Sequence, residues 1–150
     1  MATIYLTTFI EAPAQTCFDM ARNIDAHQLS TSRTIEKAIA GRTAGLFEEG
    51  DVITWQAFHF GFKQKLTAKV TKMEPFVYFE EEMIKGAFSS MKHKHSFEAL
   101  KNGTNMSDEF IFKVPLGIFA SIAEKLFLKR YITNSLKGRN SKLKSLAEAM

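Results

Sequence analysis

The feature that most constrains the fold is a series of segments in the middle of the chain that alternate apolar and polar residues. The clearest covers residues 63–73, where Leu66, Ala68 and Val70 alternate with lysine and threonine. Successive side chains of a strand point to opposite faces, so this pattern predicts a strand with one buried face. Comparable patterns predict strands at residues 3–9, 34–40, 51–60, 76–85, 90–100 and 105–114. Short turn-like segments join the later strands, so we expect one antiparallel sheet of six to seven strands.

Helical patterns lie on either side of this series. Pro13, which is tolerated at a first helical position, predicts a helix from residue 13 to about residue 22, and a second short helix is expected over 26–31. After the last strand, apolar residues recur at helical spacing and predict a long helix over about 118–149. Its first half is apolar nearly all round, which predicts burial on more than one side or contact with a cavity. The fold class is therefore α+β, with a curved antiparallel sheet wrapped around a long C-terminal helix and two short helices after the first strand.

The length and the aromatic content add two expectations. The chain has 150 residues, which suits a single domain over 1–150. It contains 14 phenylalanines but only 3 tyrosines and 1 tryptophan. So many large rings without hydrogen-bonding groups predict either an unusually aromatic core or an apolar cavity.

The cysteine content and the hydropathy indicate the compartment. Cys17 is the only cysteine, so the chain cannot form an internal disulfide, and we interpret it as a small buried apolar residue. The N-terminal residues lack the pattern of a secretion signal, and no stretch is long and apolar enough to span a membrane. We therefore expect a cytoplasmic protein with no stable membrane insertion.

The charge is concentrated near the C-terminus. The net charge is +4, and from residue 118 onward the chain has seven basic residues and two acidic ones. The simplest interpretation is a solvated helix face, and contact with phosphate or anionic lipid is the alternative. The sequence lacks the aromatic motif of RNA-binding sheets, so we expect no nucleic-acid partner.

Several strings in this order of elements resemble the START/SRPBCC superfamily, the helix-grip fold of birch-pollen allergens and polyketide cyclases. They are Thr54–Gly61, Gly86–Phe88, His93–Phe97, Gly103-Thr104 with Asp108, and Pro115–Gly117. The strings resemble a bacterial branch of small stand-alone members of that superfamily, often described only as ligand-binding or cyclase-like. The resemblance implies a large apolar cavity between the sheet and the last helix. It does not specify an activity, because the superfamily includes lipid carriers, hormone receptors and cyclases.

The polar residues expected on the inner face of the sheet suggest where such a ligand would bind. Residues two apart on a strand share a face, so His93 and His95 point the same way, and Asp108 shares a face with Phe110 across the adjoining hairpin. We expect the cavity to be lined by Trp55, His59, Phe79, Glu81, Met83, Phe88, His93, His95, Phe97, Asp108, Phe110, Phe112, Ile122 and Leu126. The polar members would fix the head of an amphiphile, such as a lipid, an isoprenoid or a polyketide-like molecule.

The orientation of one strand stays open. Trp55 and His59 would face inward only if Phe58 and Phe60 face outward, and an exposed row that also includes Phe62 would suggest a homodimer surface.

Two chemical alternatives to simple binding remain. His93 or His95 paired with Asp108 in an apolar cavity would suit acid–base catalysis of the cyclase or dehydratase type. Two histidines separated by one residue could also bind a metal with Asp108, Glu81 or His59 as a third ligand. No further ligand motif supports the metal, so we expect neither a metal nor a cofactor. We favour binding and leave open whether a reaction is catalysed.

Overall fold

The computed structural model describes residues 1–31, 34–115, 117 and 121–150. In chain order, the elements of this part are β1 (Ala2–Ile10), α1 (Ala14–Ala21), α2 (Ile24–Ser30), β2 (Lys37–Gly41), β3 (Val52–His59), β4 (Phe62–Glu74), β5 (Tyr78–Lys85), β6 (Ser90–Leu100), β7 (Gly103–Lys113) and α3 (Ile122–Glu148). The predicted start of the last helix, at residues 118–120, lies outside the described residues.

The strands form one antiparallel sheet in the order β1-β7-β6-β5-β4-β3-β2. Each strand from β2 to β7 pairs with its neighbour in the chain, and β1 returns to pair with β7, for example Ile4 with Phe110. The helix α3 packs against the sheet and against both short helices. This is the predicted α+β helix-grip arrangement, so the predicted fold class is confirmed.

Aromatic side chains fill the core where α1 meets the sheet. The ring of Phe18 on α1 packs edge-on against Phe79 and Phe97, with centroids 5.7 and 5.4 Å apart. Phe47 also packs edge-on against Phe79, at 5.2 Å. Edge-to-face pairs of this kind stabilise a core beyond the apolar area that they bury. Phe79 and Phe97 are therefore core residues, and the expectation that they line the ligand cavity is wrong.

The tip of the β3–β4 hairpin is a tight turn with an unusual residue in it. Phe60 and Gly61 both have positive φ angles, 54° and 79°. Two such residues form the turn type whose twist matches that of the flanking strands, and its first position usually holds asparagine, aspartate or glycine. A phenylalanine in this position has a backbone strain that asparagine or glycine would avoid. The turn ends β3 at His59 and places the ring of Phe60 beside α3.

The first two turns of α3 project from the domain. Ser121 caps the helix by accepting a hydrogen bond from the backbone of Glu124, and every residue from Ser121 to Phe127 is exposed. Burial against the sheet begins at Leu128. Burial on more than one side therefore does not hold for residues 121–127, because an all-round apolar pattern does not show which residues the sheet covers. The alternative, contact with a cavity, holds further along the same apolar segment, at Leu128, Tyr131 and Ile132. No helix in the described part of the chain is long and apolar enough to cross a membrane.

Candidate functional site

A cavity of about 390 Å³ lies between the β3–β4 hairpin and α3. We call it the apolar cavity, because most of its surface is carbon. It is lined by Glu36, Trp55, Ala57, His59, Phe60, Gln64, Lys65, Leu66, Ala87, Phe88, Val114, Pro115, Leu128, Tyr131 and Ile132. The cavity lies where the resemblance predicts one, between the sheet and the last helix.

The inner face of β3 is now defined. Trp55 and Ala57 are buried, His59 is half-buried, and Phe58 is exposed on the other face. The inward orientation of Trp55 and His59 follows from this alternation. Phe60, which belongs to the turn, lines the cavity instead of continuing the exposed face of the strand.

A hydrogen bond joins the two walls of the apolar cavity at its mouth. His59 Nδ1 lies 2.8 Å from the Tyr131 hydroxyl of α3. The rings of Phe60 and Tyr131 pack together with centroids 4.5 Å apart. Burial lowers the pKa of His59, so its imidazole is neutral near pH 7. The pair connects the tip of the hairpin to the helix, so it lies where a ligand would enter.

A second, smaller cavity of about 130 Å³ adjoins the first, and we call it the polar cavity. It is lined by His27, Thr31, Glu36, Trp55, Leu66, Ala68, Glu81, Met91, His93, Phe110, Ser135, Leu136 and Arg139. Glu36, Trp55 and Leu66 line both spaces. The two cavities therefore adjoin at these three side chains, with the apolar cavity on one side and the polar cavity on the other.

Asp108 is the centre of a buried polar network beside the polar cavity. Its Oδ1 lies 2.8 Å from His93 Nε2 and 2.9 Å from the guanidinium of Arg139, and its Oδ2 accepts a 2.6 Å hydrogen bond from Asn140 Nδ2. Arg139 also donates to Asn140 Oδ1. All four residues are at least nine-tenths buried. The predicted proximity of His93 and Asp108 is thus present, and the helix supplies two further partners that sequence reasoning missed.

The protonation states in this network follow from burial and charge. Burial opposes ionisation of Asp108, but the Arg139 charge and the two histidines outweigh it and hold the pKa well below its usual range. Burial and the neighbouring His95 lower the pKa of His93 to about 4. Near pH 7, a neutral imidazole on His93 therefore faces an ionised Asp108. This is the arrangement in which a carboxylate fixes the tautomer of a base.

His95 has no well-formed hydrogen bond despite being almost completely buried. Its Nδ1 lies 3.3 Å from Asp108 and its Nε2 lies 3.6 Å from Glu81, yet within the described part of the chain neither ring nitrogen has a hydrogen-bond partner with good geometry. The ring packs against those of Phe79 and His93. Burial alone would lower its pKa, but the two carboxylates outweigh burial and raise it. Burial likewise opposes ionisation of Glu81, yet the neighbouring His95 brings the Glu81 pKa down to about 2.

Glu81, His93 and His95 are the described residues that come nearest to a metal site. Their possible ligand atoms lie within 4.8 Å of one another. A tetrahedral zinc ion with bonds of ~2.1 Å would hold its ligand atoms about 3.4 Å apart. His93 Nε2 is also engaged with Asp108. An ion at this position would therefore have to compete with Asp108 for His93 Nε2.

Glu36 is a functional candidate that the sequence did not indicate. It accepts a 3.0 Å hydrogen bond from His27 and a 2.9 Å hydrogen bond from the hydroxyl of Thr34. Burial would raise its pKa, but the contact with His27 outweighs burial and lowers it. Glu36 is therefore a carboxylate at the junction of the two cavities.

The predicted lining residues fall into six groups. Trp55, His59 and Phe88 line the apolar cavity, whereas Glu81, His93 and Phe110 line the polar cavity. His95 and Asp108 lie behind His93, and Met83 and Phe112 belong to the core cluster that also includes Phe88. Phe79 and Phe97 lie in the aromatic core. The remaining two are exposed on the projecting turns of α3: Ile122 (77%) and Leu126 (62%).

The last group requires a correction. The expectation that Ile122 and Leu126 line the cavity rests on an apolar stripe and is wrong, because the sheet contacts the helix through Leu128, Ile132 and Leu136. Continuing that contacting stripe by three residues leads to Arg139. The helical spacing alone could therefore have indicated Arg139 as an inward-facing charge.

Comparison with known proteins identifies the family. Residues 10–136 match the family described as polyketide cyclase / dehydrase and lipid transport. The chain belongs to this family. No curated protein is significantly similar to it in sequence.

Solved structures with low sequence identity share the fold. The chain is similar to TTHA0849 from Thermus thermophilus, with 16% identity, a TM-score of 0.74, and coverage of 97% of this chain and 99% of the other. It is also similar to the Zhui aromatase/cyclase from Streptomyces sp. R1128, with 10% identity, a TM-score of 0.75, and coverage of 98% and 93%. A START superfamily protein from Mycobacterium smegmatis matches with 15% identity, a TM-score of 0.68, and coverage of 94% and 98%. At these identities the likeness establishes the fold and not the ligand.

Proposed function

We propose that the protein binds a hydrophobic or amphiphilic small molecule, such as a lipid, an isoprenoid or a polyketide-like compound, between the sheet and α3. The observation that carries this proposal is that the apolar cavity lies directly beside the polar cavity, with Glu36, Trp55 and Leu66 lining both. Ligand sites are typically concave and mostly apolar, with a few polar groups at one end. On this proposal the protein acts in the cytoplasm without a cofactor or a nucleic-acid partner.

The charges around the polar cavity narrow the chemistry of the ligand head. Arg139 is already paired with Asp108, and the carboxylates of Glu36 and Glu81 also border this space. Among the described residues that line the polar cavity, no lysine and no second arginine would compensate these carboxylates, so they would repel an anionic head. A neutral head that donates hydrogen bonds, such as a hydroxyl or a phenol, fits better.

Mass spectrometry of the protein as purified tests the proposal. Under native conditions the expected result is a fraction of the protein heavier by one small molecule, and the mass of the free chain after denaturation. Organic extraction should then release an amphiphile whose identity names the ligand class. A single native mass equal to that of the bare chain, together with no saturable uptake of an apolar fluorophore such as phenylnaphthylamine, would contradict the proposal.

The second candidate is an enzyme of the cyclase or dehydratase type that uses the same cavity. It is favoured by one observation, the 2.8 Å contact between His93, which lines the polar cavity, and the buried Asp108. A neutral imidazole held by a carboxylate can remove a proton from a carbon next to a carbonyl group.

Proton exchange tests this candidate separately from binding. Deuterium exchange at the α-carbon of phenylacetone, an apolar ketone, should be faster with the wild type than in buffer, and H93Q should abolish the acceleration. H27Q is the matched control, because His27 lines the same polar cavity but hydrogen-bonds to Glu36 instead of Asp108. Exchange no faster than in buffer would dismiss the acid–base role and leave the binding proposal intact.

A further inference from the structure

We propose that the mouth of the apolar cavity docks on the surface of an anionic lipid bilayer. The docking surface, which we call the mouth patch, consists of Phe60 and Phe62 on the β3–β4 hairpin with Ile122, Leu126 and Phe127 on the first turns of α3. This inference rests on the proposed function, because the bilayer would be the source of the ligand that the cavity binds. Its test measures docking on vesicles and does not depend on ligand binding.

The mouth patch is apolar and exposed. All five side chains are more than half exposed, from 52% for Phe60 to 77% for Ile122. The two halves of the patch touch, because the rings of Phe60 and Phe127 lie 5.9 Å apart. Single exposed apolar residues are ordinary, but a contiguous group of large ones indicates a binding surface.

The projecting turns of α3 have the side-chain distribution of a helix at a membrane surface. Leu128 is buried against the sheet, so at about 100° per residue Leu126 lies nearly opposite it and points away from the domain. Phe127 lies beside Leu126, on the side of the helix that meets the hairpin. Helices that bind in the interfacial region of a bilayer combine such an apolar face with flanking lysine and arginine.

Basic residues flank the patch and select an anionic partner. Lys125, Lys129 and Arg130 are exposed on the first turns of α3, against one acidic residue, Glu124. Lys63 is exposed next to Phe62 on the hairpin. Clusters of this kind are attracted to the negative surface of bilayers that contain phosphatidylserine. In a two-fold dimer through the same patch, these cations would face one another, which disfavours a second copy as the occupant.

The patch is continuous with the interior of the apolar cavity. Phe60 belongs to the patch and also lines the cavity, and Tyr131 beside it lines the cavity too. An apolar ligand could therefore pass from the bilayer into the cavity along carbon surface without entering water. Phe60, at a turn position that usually holds a residue tolerant of positive φ, thus contributes carbon surface to both the patch and the cavity.

Flotation with lipid vesicles tests the proposal with the full chain. The wild type should bind vesicles of phosphatidylcholine with phosphatidylserine, bind phosphatidylcholine alone at least tenfold more weakly, and dissociate as salt is raised. The apolar part is tested by L126S/F127S, because neither residue lines a cavity. This variant should lose at least tenfold in vesicle binding while its uptake of phenylnaphthylamine in solution stays unchanged.

A matched pair of charge reversals tests the basic part. K125E/K129E and K137E/K142E change the net charge equally on exposed positions of the same helix. Only the first pair flanks the patch, so only the first should abolish vesicle binding. Equal losses from both pairs would show attraction to overall charge and would overturn the proposal.

Two further results would also overturn it. In the first, the wild type does not bind the phosphatidylserine vesicles but still takes up phenylnaphthylamine. The docking proposal is then wrong, and the proposed function is unaffected. The other is a dimer in light scattering that L126S/F127S dissociates, which would identify a second copy as the occupant.

Discussion

Asp108 on β7 lies 2.9 Å from the guanidinium of Arg139 on α3, and both side chains are buried. This ion pair joins the sheet to the helix directly behind the polar cavity. Its position gives the helix a fixed register on the sheet, so it determines where the lining residues of α3 stand. The pair is therefore a structural requirement for the site, whatever chemistry the site performs.

Removal of the Asp108 charge should destabilise the fold strongly. D108N leaves the Arg139 cation buried without its partner, which typically costs ~3–5 kcal/mol. Urea denaturation should show this loss, with E109Q, the next residue on the same strand, changing stability by less than about 0.5 kcal/mol. The double variant D108N/R139M should recover part of the loss, because no unpaired charge remains. A D108N variant as stable as wild type would refute the pair's role.

Stability should fall with acid in two stages that belong to different residues. Unfolded His93 takes up a proton near its ordinary pKa of 6.5, whereas folded His93 does so near 4. Between these values the unfolded chain binds more protons, so the free energy of unfolding falls as the pH is lowered. The second stage belongs to carboxylates. The Glu81 pKa drops from 4.5 to about 2 on folding, and the pKa values of Asp108 and Glu36 are also lowered, so their contributions are lost as the pH falls through the folded values.

His95 acts in the opposite direction. Its pKa is raised on folding, so its contribution is full below 6.5 and declines as the pH rises through the raised value. Urea titrations at several pH values measure the whole profile. In H93N, the free energy of unfolding should depend less on pH between 6.5 and about 4, which are the ordinary and the lowered pKa of His93. A wild-type stability that is constant over this range would contradict the assignment.

The hydrogen bond between His59 and Tyr131 should slow ligand exchange. Y131F removes it and leaves the ring packing against Phe60, so stability should change by only about 1 kcal/mol. If opening of the mouth breaks this bond, release of phenylnaphthylamine should become roughly fivefold faster, which corresponds to about 1 kcal/mol. Stopped-flow fluorescence measures the rate, with Y5F at an exposed tyrosine as the control. Identical release from Y131F and Y5F would show that the bond does not gate the cavity.

Substitutions of Phe79 and Phe88, which the sequence could not distinguish, should have different effects, because Phe79 lies in the core and Phe88 lines the apolar cavity. F79A empties the aromatic core and should cost ~3–5 kcal/mol. F88A removes a half-buried ring that lines the apolar cavity, so it should cost less than half as much and weaken phenylnaphthylamine binding instead. Denaturation and fluorescence titration together measure both effects. A large loss of phenylnaphthylamine binding with little loss of stability in F79A would instead place Phe79 in the ligand site.

The alternation along the strands was sufficient to predict the sheet and much of the site. The period of two places Leu66, Ala68 and Val70 on the inner face, and the same rule brings His93 and His95 to Asp108. The pattern could not predict contacts that depend on how the helix meets the sheet. Glu36 could not be predicted because a charged residue is interpreted as solvent-exposed until its partner is known, whereas the contacting stripe of α3, once known, leads to Arg139. The prediction for Ile122 and Leu126 is wrong because apolar spacing does not show where coverage by the sheet begins.

Filling the apolar cavity tests the central claim most directly. Ala87 lines the cavity but is exposed at its edge, so A87W should fill the mouth without disturbing the core. A99W is the matched control, because Ala99 is exposed on β6 and lines neither cavity. Fluorescence titration with phenylnaphthylamine should show saturable binding by the wild type and A99W, and at least tenfold weaker binding by A87W. Equal affinity of A87W and A99W would show that the ligand does not bind between the sheet and α3.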